Sequence, residues 1–234
     1  MKAARAGGPM MCALLSLIAL FPARAPAQQG PTQPGWPRPV EDRRIFAFGL
    51  LDQAEIRVGD ALPAYRWKAE GWYGGDLNRL WLRTEGLVIP GTGETDEPEV
   101  QALYSRAATA YFDLQAGVRY DFHPSRPWLA VGVEGLAPMY FEIGAFGFVS
   151  TEGRYAARLE ASYDMRLTQH LILQPQAELN LYAQSEPSVG RGHSEGDWGL
   201  RLRYELQREV APYIGYVRAT GVGGMLVTGL RLWR

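Results

Sequence analysis

The chain has 234 residues, a formal net charge of −1 and 47% hydrophobic residues, with 27 glycines and 16 prolines. This composition excludes a disordered or collagen-like chain and leaves room for one domain of about two hundred residues. Because there is no excess of basic residues to neutralise phosphates, the sequence predicts no nucleic-acid partner.

The first segment, residues 1–27, has the features of a secretory signal peptide. A positively charged start is followed by an apolar run over residues 10–21, which is too short to span a bilayer. Small residues follow, and we expect cleavage after Ala27, because a cut after Ala25 would leave a proline just past it. The single cysteine, Cys12, lies in this segment, so the sequence predicts a mature chain without disulfides or thiol chemistry.

Residues 28–44 follow, and they combine Pro, Gly and Gln with few aliphatic side chains, which predicts a disordered tail. From residue 45 to 234 the pattern changes to a period of two. In the run 155–167, for example, apolar side chains such as Leu159 alternate with charged ones such as Glu160. Strand geometry separates these two sets onto opposite faces, whereas helical spacing would distribute the charges over all sides. Residues 45–234 are therefore predicted to form one β domain.

The alternating runs and the turn residues between them predict about twelve strands. They are 45–57, 64–73, 78–89, 99–106, 111–122, 128–136, 139–150, 154–167, 171–184, 196–207, 211–220 and 224–233. Many are long enough to cross a bilayer when tilted, and long polar connections, including 123–127, alternate with short ones. This asymmetry is typical of an outer-membrane barrel. The predicted fold class is all-β, a single antiparallel transmembrane β-barrel that contacts outer-membrane lipid.

A soluble β-sandwich or lipocalin-like barrel is the competing interpretation. Its strands would alternate in the same way, but the leucines would lie inside and the charges would be solvated. Long strands, Trp and Tyr near strand ends and the predicted signal peptide favour the membrane barrel.

Four segments carry a resemblance to a known family: LDQAE (51–55), GWYGGDLNRLWLRTEG (71–86), and the stretches 131–182 and 199–216. Together they resemble the copper resistance protein B family. The resemblance implies an outer-membrane barrel of Gram-negative bacteria that serves copper tolerance. It also implies copper ions, transported or transiently bound, and periplasmic copper-handling partners such as a multicopper oxidase. Members often carry a Met- and His-rich segment before the barrel, whereas residues 28–44 contain neither residue type.

The predicted inner face carries many charges of both signs, and two interpretations stay open. Acidic and basic side chains can pair into a lattice that fills the lumen. Alternatively, some carboxylates line a narrow route for a cation, which needs negative oxygens without tight binding. The candidates for this second role are mid-strand acids in the family-like segments: Glu85, Glu134, Glu142 and Glu160.

Copper prefers imidazole and thioether ligands, so His123 and His193, both in predicted external loops, are further metal candidates. His193 is the better of the two because Glu195 and Asp197 follow it. The sequence predicts no enzyme, since a Ser-His-acid site would need a histidine within a strand. The predicted function is to bind or move copper ions between periplasm and exterior. The alternative is a general small-solute porin, or a structural or docking barrel without a metal function.

Overall fold

The structure is a computed structural model that describes residues 44–59, 63–90, 95–183, 194–207 and 209–234. The predicted signal peptide and all but the last residue of the predicted tail lie outside the described residues and stay predictions, as does His193. Within the described ranges, no helix is long and apolar enough to cross a membrane.

Long antiparallel strands make up nearly all of the described chain. They are β1 (Phe46–Gly59), β2 (Ala64–Gly74), β3 (Asn78–Val88), β4 (Thr95–Ala107), β5 (Phe112–Phe122), β6 (Ser125–Ala137), β7 (Phe141–Ser150), β8 (Tyr155–Ser162), β9 (Met165–Arg166), β10 (Leu171–Tyr182), β11 (Ser194–Tyr204), β12 (Val210–Ala219) and β13 (Gly223–Trp233). Each strand pairs with its sequence neighbours, except that β8 and β9 both pair with β10 and share one position in the wall. Because β1 pairs with both β2 and β13, the sheet closes on itself. The prediction of one antiparallel barrel of about twelve strands is confirmed.

The two ends of the barrel differ. At one end, which we call the turn end, lie Arg44, Arg234 and the connections 75–77, 108–111, 138–140, 167–170 and 205–209. The opposite end, the loop end, carries the connections that the sequence predicts to be external. One of these predictions is wrong in length: β5 ends at Phe122 and β6 begins at Ser125, so the expected loop 123–127 is a tight turn.

Two strand boundaries also differ from prediction. The predicted strand 154–167 is interrupted after Ser162, because its backbone leaves the ladder before Met165. β4 begins at Thr95 rather than at residue 99. Neither difference changes the order of the strands.

The outer surface is apolar and the interior is largely polar. On β6, Leu129 and Val131 point outward and are 66% and 61% exposed, while Trp128 and Ala130, which alternate with them, are buried inside. Elsewhere the buried inward positions hold charged residues such as Glu99 and Arg119. A soluble β-sandwich would bury the leucines, so this arrangement is that of a barrel in lipid.

An aromatic cluster occupies part of the lumen, and sequence analysis did not predict it. It consists of Trp81, Leu103, Trp128, Ala130, Phe146 and Phe148. Arginines stack on its rings: the Arg83 guanidinium carbon lies 4.9 Å from the centre of the Trp81 ring, and that of Arg119 lies 4.9 Å from the centre of Phe148. Such cation–π contacts let guanidinium groups pack against apolar surface without losing a favourable electrostatic partner.

A β-bulge in β1 changes which residues face the lumen. The pairing with β2 runs Leu51 to Ala69 and then Gln53 to Lys68, so Asp52 is an extra residue in the strand. A bulge places two successive residues on the same side. Gln53 is buried in the lumen and Asp52 also lines the interior, although strict alternation would have directed Asp52 toward lipid.

Candidate functional site

Acidic and basic side chains fill the half of the lumen nearest the loop end. We call this group the ion-pair lattice; its members are Glu55, Arg57, Arg66, Lys68, Glu85, Glu99, Arg119, Arg158, Glu178, Asp197 and Arg201. They come from β1 to β5, β8, β10 and β11, because the inward parity of these strands places charges at a similar depth. The lattice interpretation of the inner face therefore describes this half of the lumen.

Some contacts in the lattice join neighbouring strands, and others cross the lumen between strands that do not pair. Arg57 Nη1 on β1 lies 2.8 Å from Asp197 Oδ2 on β11, and Arg66 Nη2 on β2 lies 3.1 Å from Glu178 Oε2 on β10. Arg201 Nε is 3.1 Å from Glu55 Oε2. Buried charges of opposite sign pair in this way to offset the cost of leaving water. The lattice consequently ties distant parts of the wall together.

A cavity of about 360 Å³ lies in the other half of the lumen, toward the turn end. We call it the vestibule. Its charged lining is mainly acidic, with Asp52, Glu70, Glu134, Glu142 and Glu160 against Lys68 and Arg231. An acid-lined concavity raises the local concentration of cations through its summed field. The voids in the adjoining lattice are far smaller, about 10 and 20 Å³.

Three of the four predicted carboxylates share the vestibule. Glu160 lies 3.0 Å from Lys68 Nζ, Glu134 pairs with Arg83, and Glu142 accepts a 3.1 Å hydrogen bond from the Ser162 hydroxyl. The structure places the fourth, Glu85, elsewhere. It is buried in the lattice, where it pairs with Arg158.

The structure describes only one of the two predicted histidines, and it does not lie in the vestibule. His123 is exposed in the tight turn at the loop end. His193 lies outside the described residues, and its expected neighbour Asp197 is engaged by Arg57. In the part of the chain that the structure describes, no group of three or more His, Cys, Asp or Glu side chains is arranged to hold a metal ion. The vestibule carboxylates thus come from five strands, β1, β2, β6, β7 and β8, without forming such a group.

Two vestibule residues were missed by sequence reasoning. Asp52 was missed because the bulge reverses its side, whereas Arg231 lies on the inward parity of its strand. Arg231 Nε lies 3.1 Å from Asp52 Oδ1. The alternation of β13 carried the signal for Arg231, since Met225, Val227 and Gly229 share its parity and Met225 and Val227 are buried.

A closed barrel with an apolar exterior and a polar lumen is the architecture of outer-membrane porins. The porin NanC, solved in a rhombohedral crystal form, superposes with a TM-score of 0.53 at 13% identity, over 79% of this chain and 98% of that one. A chain from a study of the in-meso crystallization of membrane proteins gives a TM-score of 0.51 at 12% identity, over 82% of this chain and 83% of that one. At these identities the likeness shows the fold alone.

Sequence comparison identifies the family. Residues 45–229 match the family described as Copper resistance protein B precursor (CopB). Copper resistance protein B of Escherichia coli is 46% identical over 180 residues, 75% of this chain and 60% of that protein. A copper resistance protein B homolog of Pseudomonas syringae pv. tomato is 40% identical over 213 residues, 83% of this chain and 72% of that one. The chain belongs to the copper resistance protein B family.

Proposed function

We propose that this barrel binds or moves copper ions between the periplasm and the exterior of a Gram-negative bacterium, without catalysing a reaction. The vestibule is the observation that carries the proposal. Its five acidic side chains outnumber its two basic ones, so it favours cations. Dispersed carboxylate oxygens hold a copper ion more weakly than a cluster of imidazoles and thioethers would, which suits uptake followed by release.

The turn end would face the periplasm, because the first described strand begins there, the last one ends there, and the connections at this end are short. Copper would then enter the vestibule from the periplasmic side. Periplasmic copper-handling proteins, such as a multicopper oxidase, would share the same pool of ions. The names of the two relatives support copper as the cargo.

Copper tolerance in cells tests this proposal. Deleting the gene should sensitise cells to copper and not equally to other divalent metals, and the wild-type gene should restore growth. The triple variant Glu134→Gln, Glu142→Gln, Glu160→Gln should fail to restore it, because it removes negative charge from the vestibule. The matched control is Asp76→Asn, Glu152→Gln, Glu209→Gln, which removes three exposed acids outside the cavity and should restore growth fully.

Equal amounts of each variant in the outer-membrane fraction must be verified by immunoblot. Unchanged copper tolerance in the deletion strain would contradict the proposal. Full rescue by the vestibule variant would contradict the role assigned to its carboxylates.

The lattice favours a second candidate, a structural or docking barrel that passes no ions. Two of the voids that it encloses are about 10 and 20 Å³, which is room for about one water molecule each. Planar-bilayer conductance with and without copper separates the candidates. Copper-dependent current supports transport, whereas a silent bilayer together with copper sensitivity of the deletion strain supports binding alone. Current carried equally by many small solutes would favour a general porin.

A further inference from the structure

Lys68 lies at the boundary between the vestibule and the ion-pair lattice. Its side chain lines both the vestibule and the neighbouring void of about 20 Å³. Its Nζ is 3.0 Å from Glu160 Oε1, 3.6 Å from Glu178 Oε2 and 3.9 Å from Glu85 Oε2. Glu160 belongs to the vestibule, and the other two carboxylates belong to the lattice. The ammonium group therefore occupies the place where a cation leaving the vestibule would next meet negative oxygens.

The neighbouring arginines are each held through two terminal nitrogens, whereas Lys68 has one. Both terminal nitrogens of Arg158 donate to Glu99, at 2.9 Å each, and Arg66 contacts both Glu178 and Asp197. Lys68 Nζ is shared among three carboxylates, those of Glu160, Glu178 and Glu85. An ammonium on a flexible four-carbon stem also exchanges partners more easily than a planar guanidinium fixed at two points. Lys68 is thus a single positive charge shared by carboxylates on both sides of the boundary.

We propose that Lys68 determines ion selectivity at the inner end of the vestibule. Its ammonium acts as a tethered cation that neutralises Glu160, Glu178 and Glu85 and excludes mobile cations from the lattice. The proposal goes beyond copper, because a tethered positive charge opposes any cation. It rests on the geometry of the lumen, so its test uses potassium and chloride and remains informative if the copper function fails.

The experiment measures the reversal potential of the purified full-length protein in planar bilayers under a KCl gradient. Lys68→Met keeps most of the length of the side chain and removes its charge. We expect it to raise the ratio of K⁺ to Cl⁻ permeability at least about tenfold, because a unit charge within 4 Å of a site dominates the local field. If the wild-type barrel is silent, Lys68→Met should produce K⁺ current. Lys68→Arg should behave as the wild type in either case.

The matched control is Arg231→Met, which removes the other basic side chain of the vestibule, at Asp52. Because Arg231 does not contact the lattice carboxylates that surround Lys68, we expect it to change the permeability ratio less than about threefold. An equal change in both variants would overturn the proposal, since selectivity would then follow the total charge of the vestibule. No change in Lys68→Met would overturn it as well.

Chemical restoration provides an independent test if Lys68→Met does not fold. In a chain carrying Cys12→Ser, Lys68→Cys supplies the sole thiol. Modification with aminoethyl methanethiosulfonate returns a positive charge to the position, whereas methyl methanethiosulfonate adds a neutral group. Restoration of wild-type selectivity by the first reagent alone supports the proposal. Equal behaviour after both reagents overturns it.

Discussion

Arg158 and Glu99 face each other across the lumen in a two-point ion pair, with Arg158 Nη1 to Glu99 Oε1 and Nη2 to Glu99 Oε2 both at 2.9 Å. Arg158 comes from β8 and Glu99 from β4, so the pair bridges a wall segment of three intervening strands. Both residues are almost fully buried. Arg119 Nη2 reaches the same carboxylate, at 2.7 Å from Oε2. This one acid therefore anchors two arginines from different strands.

Breaking this pair should destabilise the barrel strongly. Glu99→Gln leaves Arg158 and Arg119 without their shared counter-charge, and we expect it to lower the free energy of unfolding by about 3–5 kcal/mol. Urea unfolding in lipid vesicles, followed by tryptophan fluorescence, measures this change. The control is Glu152→Gln, whose pairs with Arg126 and Arg154 lie at the exposed loop end and should contribute less than about 1 kcal/mol. Equal losses of unfolding free energy in the two variants would contradict a stabilising role of the buried lattice.

The outward face of β6 provides a test of orientation. Val131 lies near the middle of the strand and points to lipid. Val131→Arg should cost about 2–4 kcal/mol in vesicles, as a cation does near the midplane of a bilayer. Val131→Ala, which removes apolar volume without adding charge, should cost clearly less in the same unfolding assay. A harmless Val131→Arg would mean that this face contacts water.

The aromatic cluster should contribute to stability in addition to the ion pairs. Phe148 is 2% exposed and packs near Phe146 in the lumen, with their ring centres 6.4 Å apart. Phe148→Ala should lower the free energy of unfolding by about 3–5 kcal/mol, since it opens a cavity and removes the ring that Arg119 stacks on. Phe148→Leu preserves much of the volume and should cost less. A loss as large for leucine as for alanine would show that the ring's electrostatics, rather than its volume, is the main contribution.

Met139 occupies a strained turn between β6 and β7, with a φ of 68°. The left-handed region costs a residue with a side chain about 1–2 kcal/mol relative to glycine. Met139 is also highly exposed, so Met139→Gly loses little packing and should stabilise the barrel by about 1 kcal/mol. The converse substitution, Gly153→Ala at a φ of 75° in open space, should destabilise it by a similar amount. Thermal unfolding of both variants in the same detergent measures the two changes in stability. Changes of the same sign in the unfolding temperature would contradict the backbone explanation.

Strand alternation was sufficient to predict the barrel. Tyr155–Ser162 illustrates why: a bilayer outside and a polar lumen inside impose opposite chemistry on alternate residues, so the period is visible in the sequence itself. The same periodicity located Glu134 and Glu160 on the inner face. It could not show that they share a cavity, because which side chains of distant strands face each other depends on how the barrel closes.

The remaining errors have local causes. Asp52 was missed because a bulge adds one residue to a strand, and no residue type in this strand marks where the bulge occurs. Trp81 and Phe148 were missed because aromatic residues were expected at the lipid interface, although their parity with Arg83 and Ser150 places them inside. Glu85 was grouped with the vestibule acids by strand position alone, while its depth along the barrel axis places it with Arg158.

Gly49 and Arg234 hydrogen-bond through their backbones in both directions, each at 2.9 Å, where β1 meets β13. The first and last strands of the described chain thus pair with each other. A barrel in which residues 223–233 have not yet paired has two sheet edges with unpaired backbone N–H and C=O groups. Assembly must hold those edges apart from other chains until the final strand arrives. A tag fused directly after Arg234 would lie next to the pairing of β1 with β13 that closes the barrel. A surface loop is therefore the safer place for a tag.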